Sequence, residues 1–215
     1  MECDESLSPE PEDNSSIISD SDSESYVEPT LVGEVTIDAD GDAVICAELG
    51  HEEKRFIISS KAFSQVSERC SELYKDSITI DCQIATYPGK VIIEVKDDDW
   101  ITLEIVLRIA HQQVDEVPAA MSLCELSMLA QFTNKYQATR IVRPWISGWL
   151  DKSWQPASIS DNIQHAWIAW EFGLVEDFKD IMSILVMDAD RLGDWNDDLQ
   201  YNGSPLWEIM PPGTL

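Results

Sequence analysis

Apolar positions along this chain fall into a few regular patterns divided by polar turns. Asp42 to Leu49 (DAVICAEL) is a run of strand length, too continuous in apolar residues for a strand with one wet face, so it predicts a strand buried on both sides. Gly50, His51, Glu52 and Glu53 make a polar turn, and Lys54 to Ile58 (KRFII) reads as a second strand joined to the first in an antiparallel hairpin. Upstream, Leu31 to Asp40 alternates Val35 and Ile37 with polar neighbours, the pattern of an edge strand leading into the hairpin. Lys90 to Lys96 (KVIIEVK) supplies a further strand.

Elsewhere the spacing is helical. From Ser59 or Ser60, either able to accept a backbone N–H at a helix start, the apolar positions move to Ala62 or Phe63, Val66, Cys70, Leu73 and Tyr74, which predicts one helix. Asp76 to Gly89 reads as a further strand through Ile78 and Ile80, closed by a Pro88-Gly89 turn. The segment WITLEIVLRIAHQQ places Leu103, Val106, Leu107 and Ala110 on one face and Ile101, Ile105 and Ile109 on another, so it predicts a central helix. Ser122 with Glu125 is a capping box that opens a helix running to about Tyr136. After a break at Ala138, Thr139 and Arg140, the residues Ile141, Trp145 and Trp149 repeat every four positions, with Pro144 starting or kinking that helix. Such regularly placed indoles fill a core or anchor a partner.

Gln155-Pro156 breaks the pattern again. Ser160 then opens a helix with Ile163, Trp167, Trp170 and Leu174 inward, ended by Gly173, and Val175, Phe178, Ile181, Met182, Leu185 and Val186 mark another helix up to about Asp188. From Arg191 onward, Asn202-Gly203, Pro205 and Pro211-Pro212 predict an irregular end that docks only through Trp195, Leu206 and Trp207.

Composition narrows the function. With 215 residues, 44% apolar and eight Trp, the chain can fill a core. The formal net charge of −27 opposes phosphate backbones and anionic membrane surfaces, so neither nucleic acid nor a membrane is an expected partner. Met1 to Thr30 holds ten acidic residues with no Lys or Arg, is rich in Ser and Pro, and predicts a disordered tail. Within it, Ser19 and Ser21 have Asp22 and Glu24 three positions on, a pattern that suits acidophilic kinases, while Ile17 and Ile18 beside the acidic run suit addition of a strand to a small ubiquitin-like modifier. A solvated spacer explains the same residues. No apolar run is long enough to cross a membrane, and the acidic start MECDESLSPE is unlike a secretory signal, so the expected location is intracellular, cytoplasmic or nuclear. Five scattered Cys without Cys-x-x-Cys spacing fit a reducing compartment, with Cys46, Cys70 and Cys124 as small buried hydrophobes.

No nucleophile elbow, phosphate loop, dinucleotide fingerprint or metal-ligand spacing occurs, so neither catalysis nor a cofactor is expected. The three carboxylates Asp97, Asp98 and Asp99 precede a helix, where Asp98 or Asp99 serves as cap in preference to a metal ligand. His111 ends that helix as a hydrogen-bonded structural residue, and with only His51 and His165 besides, no pair has ligand spacing.

Four blocks, GDAVICAEL, EKRFIISSKAFSQVS, EVKDDDWITLEIVLRIAHQQVDEVP and LCELSMLAQFTNKYQATRIVRPWISGWL, resemble the BTB/POZ domain in the form common among fungal proteins, over roughly Gly41 to Trp154, about half of the chain. The resemblance implies an α+β fold, a small sheet covered by helices, that associates with proteins and has no chemistry of its own. It divides the chain into an acidic tail (1–30), the BTB/POZ-like domain (31–154), a helical pair like the extension of the fungal proteins (155–190) and an irregular tail (191–215). It further implies that the leading strand, through Val35 and Ile37, pairs with a partner subunit in a homodimer; pairing within the chain is the other reading. Some relatives contact cullin ubiquitin-ligase scaffolds near residues 76–89, where this sequence is longer than the family pattern. The expected function is therefore self-association or an adaptor role, a cullin being one partner. The alternative is an acidic transcription-linked regulator that dimerises through its folded part.

Overall fold

In the computed structural model the described residues are 29–79, 86–150 and 158–191, together with 200–201, 204–205 and 210–212. The fold is mixed α and β, as the sequence patterns predict. β1 (Thr30–Thr36), β2 (Ala43–Leu49), β3 (Glu52–Ile58) and β4 (Val91–Lys96) form one open sheet in the order β1-β3-β2-β4. β2 and β3 are antiparallel, whereas β1 lies parallel to β3 and β4 parallel to β2. The hairpin turn is shorter than the sequence suggests. Leu49 pairs with Glu52 across Gly50 and His51, so Glu52 and Glu53 belong to the strand.

The five residues Ala43 to Ala47 are all buried, because both faces of β2 are covered. On one face Ala43, Ile45, Phe56, Ile58 and Ile93 meet the helices, and on the other Val44, Cys46 and Ile92 pack with Tyr87. The connector from β1 to β2 crosses the end of β3. A Cβ on Gly41 would sit 2.5 Å from the Ile58 carbonyl oxygen, so only glycine passes here.

Among the described residues, seven helices cover the sheet or extend from it: α1 (Ser60–Ser64), α2 (Glu68–Thr79), α3 (Trp100–Ala110), α4 (Leu123–Tyr136), α5 (Thr139–Trp149), α6 (Ile159–Phe172) and α7 (Val175–Arg191). The single helix predicted after Ser59 is two. Ser59 caps α1 by accepting from the Ala62 N–H, and a second start follows at Ser67, whose hydroxyl accepts from the Cys70 N–H at 3.0 Å and donates to the Tyr136 carbonyl at 2.6 Å. Helix α2 then runs through Ile78, which is 52% exposed, so the strand expected there is replaced by helix; Ile80 lies outside the described residues. The Pro88-Gly89 turn is present.

α3 is central, with Leu103, Ile105, Val106 and Leu107 buried, although Ile101 faces solvent. The capping box at Ser122 and Glu125 forms with both reciprocal bonds. α5 begins at Thr139, so Pro144 lies inside it and leaves the Arg140 carbonyl without a helical donor; both residues are exposed, where water can serve. Its buried stripe is Val142, Ile146 and Trp149, and Trp145 stacks half-buried on Trp149 at 6.0 Å. Trp149 donates its indole N–H to the Pro118 carbonyl at 2.7 Å.

Ser158, not Ser160, caps α6, accepting from the Asp161 N–H at 3.1 Å. The buried apolar residues are Ile163, Ala166, Ile168, Ala169 and Phe172, while Trp167 and Trp170 are half-buried against each other at 5.9 Å. Gly173 stops the helix in the left-handed conformation. Ile168 and Phe172 join the main core, and a smaller core forms where Ile163, Ala166 and Ala169 meet Ile181, Leu185 and Met210. Of the apolar residues that mark α7, Val175 and Val186 are exposed. The predicted irregular end includes a short antiparallel pair, β5 (Gln200–Tyr201) with β6 (Ser204–Pro205), on either side of Asn202-Gly203. Trp195, Leu206 and Trp207 lie outside the described residues.

Candidate interaction surface

β1 reaches the sheet only through β3 and forms one of its two edges; no described strand lies on its outer side. Five of its seven residues are exposed, including Leu31 (47%) and Val32 (46%). The pairing slips between Leu31 and Gly33, a bulge that places Val32 outside the regular register. Val35 packs against the core and Ile37, just past the strand, is 4% exposed within it. The two residues expected on a dimer strand thus spend their side chains inside this chain. The outward apolar surface is Leu31 and Val32.

Behind β1 runs a polar row. Glu34, Arg55, Cys46 and Glu94 are successive partners across the four strands. Tyr87 donates its hydroxyl to Glu34, Arg55 pairs with Glu53, and the Arg55 guanidinium lies 5.6 Å from the centre of the Tyr87 ring. Burial and the Glu34 carboxylate push the Tyr87 phenol above its usual range. Burial works against the Arg55 charge, but bonds to Glu53 and Tyr87 outweigh it and raise the guanidinium further.

At the far end of β1, Thr36 borders an open polar hollow of about 440 Å³ with Arg108, Gln112, Gln113 and the 3-10 turn Val114–Glu116. The arginine there is committed: it donates to Glu104 at 2.7 and 3.0 Å and to Gln113 at 3.1 Å. Gln113 in turn donates to the Ile37 carbonyl at 2.7 Å, fixing the end of β1 to α3.

No family model matches this sequence, and comparison with characterised proteins finds no match.

Several of the other candidate residues tie elements of the fold together. Asp99 is the cap of α3, accepting from the Thr102 N–H at 2.7 Å, and Asp98 is instead buried and bonded to Tyr136 and Lys135. His111 accepts the Ser59 N–H on Nε2 at 3.0 Å, so Nδ1 carries the proton facing the Leu107 carbonyl at 2.7 Å. It staples the start of α1 to the end of α3. His51 is exposed in the hairpin turn, and His165 is half-buried on α6, where burial lowers its imidazole while Asp177 and Asp161 pull the other way. Among the described residues no group of His, Cys, Asp and Glu could hold a metal, and no helix is long and apolar enough to cross a membrane. Cys46 and Cys70 are buried thiols, but Cys124, expected inside, is exposed in the first turn of α4. Ser19 and Ser21 lie outside the described residues. Sequence reasoning missed Leu31, Val32 and Tyr87. Two adjacent apolar residues at the start of an alternating strand were the available signal for the first pair.

Proposed function

We propose that this protein is a non-catalytic association module, in keeping with its resemblance to BTB/POZ domains, and that it binds a second copy of itself along the outer edge of β1. The observation that carries this reading is the character of that edge. Natural edge strands are shortened, charged or covered to prevent pairing. β1 spans seven residues, has no described neighbour outside, and begins in two exposed apolar side chains. It also holds a single charge, Glu34, in a chain of net charge −27, so a second copy meets less like-charge repulsion here than over the surface at large. Strand addition supplies backbone hydrogen bonds, with Leu31 and Val32 giving apolar contact. Light scattering of the full chain over rising concentration tests the proposal. A dimer mass is expected, and a monomer at high micromolar concentration would sink it.

A further inference from the structure

Besides its ladder with β3, β1 is tied to the sheet by a side chain that reaches it from beyond β2. We propose that β1 is a releasable edge strand and that Tyr87 is the latch that keeps it in place. The strand itself has little to hold it: five of seven residues are exposed, and among the described residues only Val35 of the strand packs against the core and one strand bonds it. β2, by contrast, has five of seven buried and a partner on each side. Segments with few buried apolar contacts open locally at lower free energy than the core around them.

Tyr87 offsets that deficit. Its ring is buried with Val44, Cys46 and Ile92 on β2 and β4, and its hydroxyl extends to Glu34 in the middle of β1. The ring thereby roots β1 in the far half of the sheet without using the β1–β3 ladder. The same turn gives a second tie, because the Lys90 ammonium donates to the carbonyl of Gly41 in the β1–β2 connector. The opening has a defined limit. Ile37 is buried, its N–H donates to the Ile57 carbonyl at 2.9 Å and its carbonyl accepts from Gln113, so the chain is anchored immediately after the strand. Release of β1 would bare the outer edge of β3 and remove the edge that β1 presents. The device does not depend on the association reading, because exchange is measured at dilution, where the chain is a single copy and nothing covers the outer edge of β1.

Native-state hydrogen exchange on the full chain tests it, with the wild type, Tyr87→Phe, Glu34→Ala and the double variant. In the wild type, β1 amides are expected to exchange through an opening that leaves β2 and β4 protected. Each single variant should speed β1 exchange by up to about tenfold, the size of one hydrogen bond, and the double variant should add nothing further. Exchange of β1 in step with β2 and β4 in the wild type would overturn the proposal. So would β1 exchange left unchanged by either single variant, or additive effects of the two substitutions. Should Tyr87→Phe fail to fold, Glu34→Ala alters an exposed side chain and reads the same tie.

Discussion

The Tyr136 hydroxyl lies 2.6 Å from a carboxylate oxygen of Asp98, joining the last turn of α4 to the turn between β4 and α3. Asp98 is only 7% exposed, and the same oxygen accepts from Lys135 at 2.8 Å. A buried carboxylate without such partners would be costly, so the pair makes its position tolerable.

Burial, followed by the neighbouring Asp98, holds the Tyr136 phenol well above its ordinary range. The folded state therefore keeps a proton that the unfolded chain gives up near pH ~10. That contribution is complete below the unfolded value and fades as pH rises toward the higher folded one. Tyr136→Phe should lower stability near neutrality by about 1–3 kcal/mol, since Asp98 loses a buried donor. It should also flatten the loss of stability in alkali. Denaturant titrations across the alkaline range, compared between the two proteins, read both effects; parallel curves would refute the assignment.

Glu104 predicts the opposite pH sign. It receives Arg108 on one oxygen and Lys54 at 3.1 Å on the other, linking β3 to α3 and, through Arg108 and Gln113, to the end of β1. Burial pulls its carboxyl up, but the bonds from Arg108 and Lys54 outweigh that and hold it below the usual value. Its stabilisation is present above the unfolded value of ~4.3 and disappears as pH falls through the folded one. Glu104→Gln should cost about 1 kcal/mol near neutral pH, trimmed by partial solvent screening, and almost nothing in strong acid. Thermal melts at both extremes are the measurement.

Gly41→Ala tests the crossing of the connector over β3. The added methyl would lie 2.5 Å from the Ile58 oxygen and 2.8 Å from its carbonyl carbon, both backbone atoms that cannot swing aside. The expected loss is about 1–3 kcal/mol, typical of overpacking. A control at Gly148, where nothing lies within 4 Å, should change stability far less. Equal melting points for Gly41→Ala and wild type would mean that the connector takes another path.

The parts of this fold legible in sequence are those where one physical signal acts alone. The unbroken apolar run of β2, the reciprocal cap at Ser122 and Glu125 and the left-handed stop at Gly173 all appear as read. Where two signals compete, the reading fails. Val66 and Cys70 keep helical spacing across the gap between α1 and α2, which hides the fresh start that Ser67 provides. Ile78 has the β-branched neighbourhood of a strand, yet α2 is already propagating there and continues through it. Ser158 and Ser160 are equally good caps by type, and the acidic Asp161 three residues after Ser158, where Ser160 has Ile163, is the local difference between them. The candidate edge was harder still. Periodicity marks which residues of β1 face inward, but the parallel partner β3 and the reach of Tyr87 to Glu34 are long-range facts that no local pattern encodes.

Leu31 and Val32 bear most directly on the proposed association. Both are exposed, so Leu31→Lys and Val32→Lys should leave the unfolding midpoint of the isolated chain within about 0.5 kcal/mol of wild type. A lysine on each copy would meet its counterpart across a paired edge, and the dimer should weaken by tenfold or more, a factor worth about 1.4 kcal/mol. Salt separates this interface from one built on ion pairs. The copies are both strongly acidic and the contact is apolar and backbone in kind, so added salt should screen their repulsion and tighten the wild-type dimer. Sedimentation equilibrium at low and high ionic strength reads this directly. A dimer that weakens with salt, or that survives both lysine substitutions unchanged, would place the contact on another surface.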